Sequence, residues 1–283
     1  MQTVTTIAEV RAFAEEARAG GGAVGFVPTM GYLHEGHASL MAAARAECDR
    51  VVASVFVNPL QFGAGEDLGA YPRDIERDTA LAAAAGVDLL FVPGAAEMYP
   101  GAVVTSVRVA EITDRFEGAT RPGHFAGVAT VVAKLFAIVG PCSAYFGEKD
   151  WQQVCVVRRM AADLSLPVRV VACPTSREPD GLARSSRNVY LTDDERSAAP
   201  VLRRALQAGA DLVAAGVRDA ARVEARVAEA VATEPLVVLD YVAAVSADTL
   251  APLDPLVGEI RLLVAARVGR PRLLDNIGLT VPA

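Results

Sequence analysis

The sequence predicts an α/β protein: a parallel sheet with helices on both faces, followed by a smaller C-terminal α+β domain. Short continuous apolar stretches are typical of strands buried on both faces, and helical stretches separate them, at residues 23–28, 51–57, 87–93 and 168–173. After about residue 175 this alternation stops. Helix-like stretches rich in Ala, Arg and Glu then precede strand-like ones, which predicts a second, smaller domain.

The first predicted element is an amphipathic helix over residues 6–17. Ile7, Val10 and Phe13 share one of its faces, and Thr6 and Glu9 have the spacing of a capping box. The glycine triplet at 20–22 ends the helix.

The remaining elements of the first domain alternate between strand and helix. In order they are a strand at 23–28, a helix at 38–47, a strand at 51–57, a helix at 74–85, a strand at 87–93, a helix at 128–139, a strand at 144–146, a helix at 151–164 and a strand at 168–173. In such sheets the ligand lies beyond the carboxyl ends of the strands. We therefore expect the site in the segments that follow Val27, Val57, Phe146 and Cys173.

The second domain has a different order of elements. Its predicted helices, 193–215 and 217–233, precede predicted strands at 237–245 and 260–268. We place the boundary after residue 175, which gives domains of residues 1–175 and 176–283.

Composition and charge exclude several classes of protein. Hydrophobic residues make up 52% of the 283 residues, which is enough for a sizeable core. The net charge of −7 disfavours a binder of nucleic acid or anionic membranes. No apolar run approaches the ~18 residues that cross a bilayer, and the first residues do not resemble a signal peptide. The four cysteines form no Cys-x-x-Cys pair and are expected in the core of a cytoplasmic protein.

Histidine and lysine are scarce in this chain. The histidines are His34, His37 and His124, and the lysines are Lys134 and Lys149. Every other basic residue is Arg, so a specific chemical reason for these few histidines and lysines becomes more plausible.

The turn after the first strand contains His34-Glu35-Gly36-His37 at a predicted helix start. It matches neither a dinucleotide-binding Gly-x-Gly-x-x-Gly turn nor a Walker loop. Its glycines would let a phosphate approach the backbone, and the helix start offers N–H groups, while the histidines could add hydrogen bonds. A tight turn with two satisfied histidines explains the spacing equally well. A zinc site is less well supported because the histidines are spaced i, i+3.

Polar segments also follow other strands. Asn58 and Gln61 suit a hydroxyl or carboxylate ligand, or a capped turn, and the segment with Arg121 and His124 is ambiguous by itself. Lys149 is a candidate phosphate ligand, and Asp150 a magnesium ligand, a ribose ligand or a helix cap.

The loop of residues 184–188 combines hydroxyls with Arg, which suits a triphosphate but is common on surfaces. Polar segments at successive strand ends together predict a nucleotide site at the switch point of the sheet, beside a second polar pocket.

The order and content of these segments resemble the pantoate–β-alanine ligase (pantothenate synthetase) family, of the His-x-Gly-His nucleotidyltransferase-type superfamily. The resemblance runs from about residue 22 to 278. Its segments are Pro-Thr-Met-Gly at 28–31, His-Glu-Gly-His at 34–37, Phe-Val-Asn-Pro at 56–59, Gln-Phe at 61–62, Tyr-Pro-Arg at 71–73, Arg-Pro at 121–122, His-Phe-Ala-Gly at 124–127, Phe-Gly-Glu-Lys-Asp at 146–150, Gln-Gln at 152–153, Asp-Gly-Leu-Ala at 180–183, Ser-Ser-Arg-Asn at 185–188 and Leu-Leu-Asp-Asn at 273–276.

The resemblance implies an ATP-dependent condensation of pantoate with β-alanine. The products are pantothenate, AMP and pyrophosphate, formed through a pantoyl-adenylate. It also implies a Rossmann-like first domain, a C-terminal lid domain, Mg²⁺ and a homodimer.

The resemblance also assigns residues by motif. Catalytic roles fall to His34, His37, Lys149 and Arg187. Gln61 is assigned to pantoate and β-alanine and Gln153 to pantoate, with Asn58 and Arg121 as nearby candidates and Asp150 as a candidate metal ligand. The residues assigned to ATP are Met30, Gly31, Tyr32, Leu33, His34, Glu35, Gly36, His37, Gly147, Glu148, Lys149, Asp150, Ser176, Arg184, Ser185, Ser186 and Arg187.

Three positions depart from the family pattern. Tyr32 stands where Ala is usual, Ser176 where a Val-like residue is common, and Arg184 where Met or Leu usually stands. Because Ser176 and Arg184 can still offer backbone contacts, we expect altered ATP affinity without loss of activity.

Two alternatives to this function follow from the same residues. An adenylyltransferase of the superfamily would need Arg or Lys for an acceptor phosphate, where this chain has Asn58, Gln61 and Gln153. A catalytically silent nucleotide-binding regulator would be favoured by loss of a motif histidine or of Lys149, and none is lost.

Overall fold

The structure is a computed structural model that describes residues 1–63, 68–69 and 71–282. They divide into two compact units. The first unit comprises Met1–Glu148 and Gln152–Pro174, and the second comprises Lys149–Trp151 and Thr175–Ala283. The sequence did not indicate that Lys149–Trp151 groups with the second unit. That residues 1–175 and 176–283 are separate domains stays a prediction.

The first unit contains a parallel sheet of six strands within the described residues, in the order β1-β4-β3-β2-β5-β6. The elements that lie in it wholly or in part are β1 (Gln2–Val4), α1 (Ile7–Ala19), β2 (Val24–Thr29), α2 (Glu35–Glu47), β3 (Arg50–Val55), α3 (Ile75–Ala84), β4 (Leu89–Phe91), α4 (Ala95–Met98), α5 (Glu117–Thr120), α6 (His124–Val139), β5 (Cys142–Gly147), α7 (Trp151–Asp163) and β6 (Val168–Cys173).

The strand order reverses direction at β2. The chain continues from β2 to β3 and β4 on one side, and β5 and β6 then lie on the other. Phe26 of β2 is therefore in register with Val52 of β3 and with Ala144 of β5. The switch point lies between β2 and β5, and it is at such points that open parallel sheets bind ligands.

Helices cover both faces of this sheet. Val27 packs in one cluster with Met41 of α2. Phe26, whose side chain points to the opposite face, meets Phe136 of α6 at 6.5 Å between ring centroids, and Phe136 meets Phe146 at 6.3 Å. Full burial of each such side chain contributes about 1.5–3 kcal/mol. The predicted α/β class is confirmed.

Several elements of the first unit differ from the sequence prediction. Helices α4 and α5 were not predicted, and α6 begins at His124, before the predicted start at residue 128. β1 was not predicted because three residues are too few to show a periodic pattern, and it forms by pairing Val4 with Phe91 of β4. The helix predicted to begin at residue 38 begins at Glu35. Its first turn, Glu35-Gly36-His37, has no apolar residue and so gives no periodic signal.

The second unit contains a three-stranded antiparallel sheet, in the order β7-β8-β9 within the described part of the chain, and helices. Its elements are α8 (Asp193–Ala198), α9 (Val201–Ala214), α10 (Ala220–Val231), β7 (Val237–Ser246), β8 (Gly258–Val268) and β9 (Arg272–Val281). The predicted smaller α+β part is confirmed. Gly209 of α9 allows close packing on α10, because a Cβ there would lie 2.6 Å from Val227.

The prediction for the second unit was wrong at two points. The single helix predicted at 193–215 is two helices, because Pro200 lacks the N–H that would continue the helix between Ala198 and Val201. β9 was not predicted because the polar pair Asp275-Asn276 interrupts its apolar pattern, although both side chains are buried.

In the described residues, no helix has both the length and the apolar character to cross a membrane. None of the four cysteines, all of which are described, forms a disulfide.

Candidate active site

A tight turn carries the chain from β2 to α2. Gly31 has a φ of +86°, and a Cβ there would lie 2.8 Å from Val55 Cγ1 and 3.0 Å from Asp78 Oδ2. Thr29 Oγ1 accepts a hydrogen bond from the Gly31 N–H at 3.2 Å. Glycine is required here because the backbone conformation is left-handed and a side chain has no room.

The Asp78 carboxylate supports this turn from α3. It accepts hydrogen bonds from the backbone N–H groups of Tyr32 at 2.8 Å and Leu33 at 2.6 Å, and the residue is 1% exposed. Burial raises the pKa of the Asp78 carboxyl, and the N–H groups of Leu33 and Tyr32 partly oppose that rise. Asp78 was not predicted from the sequence, because nothing local distinguishes it from the other acidic residues of its helix.

His34 and His37 cap the start of α2 through one nitrogen each. His34 Nδ1 accepts the Gly36 N–H at 3.1 Å, and His37 Nδ1 accepts the His34 N–H at 3.3 Å. The neutral rings therefore carry their proton on Nε2, and the ring centroids lie 4.1 Å apart. The two interpretations of this motif, a tight turn and a phosphate site, are compatible, because Nδ1 caps the turn and Nε2–H is a donor.

Tyr32 adopts an unusual backbone conformation at this turn, with φ at 52°. The Arg77 guanidinium lies 5.2 Å from the centroid of its ring, which is within cation–π range. Tyr32 also borders a cavity of about 260 Å³ in the first unit. The other lining residues are Met30, Gly31, Val55, Phe56, Val57, Arg73, Asp74, Ile75, Asp78, Val92, Pro93 and Ala95.

A second set of polar side chains follows β3. Asn58 is 1% exposed and Gln61 is 7% exposed. Asn58 Nδ2 donates to Gln61 Oε1 at 3.2 Å, and Gln61 Nε2 donates to Met30 Sδ at 2.8 Å. The Tyr99 hydroxyl donates to Asn58 Oδ1 at 2.9 Å. The structure thus brings Met30, Asn58 and Gln61 together, and it adds Tyr99, which the sequence analysis missed.

His124 connects Arg121 to this set of polar side chains. Arg121 has no acceptor, so its NH1 donates to His124 Nε2 at 3.1 Å, and the neutral His124 ring donates from Nδ1 to the Gln61 carbonyl at 2.9 Å. Gly127 lets α6 approach, because a Cβ there would overlap the Leu60 carbonyl. The ambiguous segment at 121–127 therefore supports the backbone of Gln61.

The two neighbouring glutamines of α7 differ in their surroundings. Gln152 is 5% exposed, and its Nε2 donates to the carbonyls of Ile112 at 2.7 Å and Arg115 at 2.9 Å. Its Oε1 accepts the Glu117 N–H at 3.1 Å. Gln152 therefore fixes the 112–117 segment, whereas Gln153, which was assigned to pantoate, is half-buried.

The next predicted segment spans the two units. Gly147 ends β5 in register with Cys173, and Glu148 follows it in the first unit. Lys149 and Asp150 belong to the second unit, where Lys149 Nζ lies 3.3 Å from Asp150 Oδ1. Lys149 and Ser185 line the same small cavity of that unit.

The Leu-Leu-Asp-Asn segment of β9 anchors this part of the second unit. Asn276 Nδ2 donates to the Lys149 carbonyl at 2.9 Å. Asp275 is 4% exposed and accepts two hydrogen bonds from Arg177, at 2.7 Å and 2.9 Å. Burial, with the charge of Arg177, lowers the pKa of Arg203, which lines the same cavity. Asn276 thus explains how Lys149 is held in the second unit.

Trp151 also holds this part of the second unit in place. Its indole N–H donates to the Ala247 carbonyl at 2.7 Å. The buried Arg261 guanidinium stacks 3.4 Å from its ring centroid and donates to Asn276 Oδ1 at 3.1 Å.

The loop assigned to the ATP phosphates is ordered by its own contacts. The Arg184 N–H donates to the Ser176 carbonyl at 2.9 Å, so these two backbone groups bind each other. The Arg184 side chain pairs with Glu178 at 2.9 Å. Ser185 Oγ accepts the Arg187 N–H at 3.2 Å and caps the short 3₁₀ helix Ser186–Tyr190.

The family model described as pantoate-beta-alanine ligase matches residues 2–278. The chain belongs to this family. The resemblance seen in the sequence motifs is thereby confirmed.

Members of the pantoate–β-alanine ligase family match the chain over nearly its whole length. A pantothenate synthetase of Heliobacterium modesticaldum is 54% identical over 281 residues, which are 99% of this chain and 100% of the relative. One of Sinorhizobium medicae is 55% identical over 277 residues, 98% of this chain and 95% of the relative.

Solved structures of the family share the fold. The structure of pantothenate synthetase from Thermus thermophilus has a TM-score of 0.92 at 55% identity. The match covers 98% of this chain and 99% of the Thermus chain. That of pantoate-beta-alanine ligase from Francisella tularensis, complexed with beta-gamma ATP and beta-alanine, has a TM-score of 0.79 at 32% identity, with coverages of 98% and 97%.

Proposed function

We propose that this enzyme condenses pantoate with β-alanine, using ATP, to give pantothenate, AMP and pyrophosphate through a pantoyl-adenylate. One observation carries the proposal. The first unit combines a helix start that bears two histidines, each with a donor Nε2–H, with a cluster of neutral amides around Gln61. The names of its relatives, and the beta-gamma ATP and beta-alanine complexed with the Francisella enzyme, support the same reaction.

In the first step a carboxylate oxygen of pantoate attacks the α-phosphorus of ATP, and the bond to pyrophosphate breaks. Two anions have to be aligned and the added negative charge stabilised. The N–H groups and positive end of α2 suit the phosphates, and His34 and His37 donate from Nε2. Loss of one such preorganised donor costs about 10²–10³ in kcat.

Neutral amides suit the acid substrate in this step. Gln61 and Gln153 orient pantoate by hydrogen bonds without adding a positive charge that would lower the nucleophilicity of its carboxylate. An acceptor that carries a phosphate would instead require Arg or Lys. Arg121 donates to His124, which donates to the Gln61 carbonyl, and the side chains of Asn58 and Gln61 are neutral amides, so this cluster favours the ligase over an adenylyltransferase.

In the second step the amine of β-alanine attacks the acyl carbon of the adenylate, and AMP leaves. The mixed anhydride reacts readily with water, so we propose that the C-terminal part of the chain acts as a lid that shields it. Gln61 would also face β-alanine, as the family resemblance implies.

We assign the remaining phosphate contacts to Lys149, Ser185, Ser186 and Arg187. Their basic and hydroxyl groups offset negative charge locally in a chain whose net charge is −7. For the Arg184 side chain to contact a phosphate, its ion pair with Glu178 would first have to break.

We propose that Mg²⁺ enters with ATP, as the family resemblance implies, and that Asp150 is the candidate protein ligand, because hard oxygen ligands suit this ion and the carboxylate, 3.3 Å from Lys149 Nζ, is half-exposed. Mg²⁺ bound with ATP would neutralise phosphate charge, and substrate oxygens and water would complete its coordination.

We propose a homodimer, as the family resemblance implies, and we propose that it works in the cytoplasm. Cysteines without disulfides agree with a reducing compartment. Sedimentation of the purified protein at two concentrations tests the dimer, and a single monomer boundary would contradict it.

The reaction itself is tested by stoichiometry. With pantoate, β-alanine, ATP and Mg²⁺ the protein should form one pantothenate and one AMP per turnover. With pantoate and ATP alone it should exchange pyrophosphate into ATP. Formation of ADP, or exchange that needs β-alanine, would contradict the adenylate route, and AMP retained on the product would indicate an adenylyltransferase.

A further inference from the structure

We propose that Tyr99 and Asn58 are positioning residues that hold the Gln61 amide with its Nε2–H end toward the acid substrate, and that neither touches that substrate. The inference rests on the proposed role of Gln61 in binding pantoate. It gives Asn58 a different role from the substrate contact that its motif suggests.

The hydrogen-bonding capacity of the Asn58 side chain is fully used inside the protein. Its Oδ1 accepts from the Tyr99 hydroxyl at 2.9 Å and from the Leu60 N–H at 3.3 Å. Its Nδ2 donates to Gln61 Oε1 at 3.2 Å and to the Gly127 carbonyl at 3.1 Å. An amide has two donor hydrogens and two acceptor lone pairs, so a side chain that is 1% exposed has none left for a ligand.

The same bonds fix the direction of the Gln61 amide. Because Asn58 faces it with a donor, Gln61 must offer Oε1 on that side, and its Nε2 then lies on the other side, 2.8 Å from Met30 Sδ. A thioether is a weak acceptor, so a carboxylate or hydroxyl oxygen of the substrate is a better partner for Nε2–H. An amide turned the other way would present an acceptor to an anionic substrate.

Tyr99 completes this arrangement from a distant part of the chain. It is the C-terminal cap residue of α4, and its ring packs 6.0 Å from the Phe56 ring and 5.8 Å from Lys134 Nζ. Burial raises the pKa of Tyr99 to about 12, so its hydroxyl stays a donor at neutral pH. The hydroxyl thus holds Asn58 Oδ1 in place.

The kinetic test compares Tyr99→Phe, Asn58→Ala and the double variant with the wild type. We expect Tyr99→Phe to raise KM for pantoate about threefold to tenfold, the scale of one buried hydrogen bond, with KM for ATP and kcat within about twofold. In the Asn58→Ala background, Tyr99→Phe should have no further effect on KM for pantoate, because the Asn58 amide that connects Tyr99 to Gln61 is already absent. Tyr241→Phe, in β7, is the matched control and should leave all constants unchanged.

Three kinetic outcomes would overturn the proposal. The first is an unchanged KM for pantoate in Tyr99→Phe, and the second is an effect that persists undiminished in the Asn58→Ala background. The third is an effect that falls equally on KM for ATP, as a general loss of structure would. Melting temperatures of all variants identify such a loss.

A spectroscopic measurement keeps this inference separate from the proposed function. The side-chain NH₂ resonances of Asn58 and Gln61, assigned by their loss in Asn58→Ala and Gln61→Ala, report the bonds directly. Tyr99→Phe should shift both and speed their exchange with water, whereas unshifted resonances would contradict the inference. Wild-type protein that makes no pantothenate would overturn the proposed function alone.

Discussion

The carboxylate of Asp78 accepts the backbone N–H of Leu33 at 2.6 Å, across 45 residues of sequence. It accepts the Tyr32 N–H as well, so one buried side chain of α3 fixes the turn that places His34 at the start of α2. The geometry of the two motif histidines therefore depends on a residue outside their motif.

Replacement of Asp78 should reduce both stability and activity. Asn at this position would keep one acceptor but turn its NH₂ group against the other backbone N–H. We expect Asp78→Asn to lower the free energy of unfolding by about 1–3 kcal/mol and to lower kcat while raising KM for ATP. Glu76→Gln, on the same helix, is the control. Urea unfolding and steady-state kinetics measure both effects, and normal ATP kinetics in Asp78→Asn would contradict the role.

The pH dependence of stability should also report Asp78. Burial raises its pKa above the ordinary value of 3.8, so the native state holds this proton more tightly than the unfolded state does. Its contribution is most favourable below the unfolded pKa and declines as the pH rises through the native pKa. The stability of wild type relative to Asp78→Asn should therefore fall with rising pH across that window. A difference that grows with pH in urea titrations would contradict the raised pKa.

His34 should show separable structural and catalytic roles. His34→Ala removes the cap of α2 and the Nε2 donor, so we expect a loss of about 0.5–2 kcal/mol in unfolding free energy and of about 10²–10³ in kcat. His34→Asn restores an acceptor for the Gly36 N–H, so it should regain most of the stability and little of the activity. Thermal unfolding beside kinetics decides this, and full activity in His34→Asn would mean that the cap alone matters.

Lys149 should not tolerate a charge-conserving change. Its backbone is anchored by Asn276 and its side chain is 17% exposed, so the larger planar guanidinium of Arg would meet a confined space. We expect Lys149→Arg to lose at least about tenfold in kcat/KM, roughly 1.4 kcal/mol. Arg159→Lys, in an exposed pair with Asp163, is the control and should be neutral. Full activity of Lys149→Arg would show that only the charge is needed.

Loss of Arg177 should destabilise the second unit strongly. Arg177→Met would leave the buried Asp275 carboxylate without its two-point partner, which costs about 3–5 kcal/mol. The double variant Arg177→Met with Asp275→Asn should recover part of this loss, because no buried charge remains. Chemical denaturation measures the stability of both variants. Equal stabilities of the single and the double variant would contradict the proposed cost of leaving the buried Asp275 carboxylate without Arg177.

The sequence by itself determined the α/β class and the family, and it predicted residues of the candidate site. Strand β2 could be predicted because six neighbouring residues carry its apolar pattern. The helix start that carries His34 and His37 could be predicted because it is a local structure. The roles of Lys149 and Gln61 on the substrates followed from motifs and stay predictions.

Only the tertiary structure decided which distant polar groups meet. Asp78 reaches Leu33 across 45 residues, and Tyr99 reaches Asn58 across 41. β1 likewise exists through its pairing with β4. Periodicity and capping are set by residues within a few positions of each other, whereas these contacts depend on strand order and packing, which no short stretch of sequence encodes.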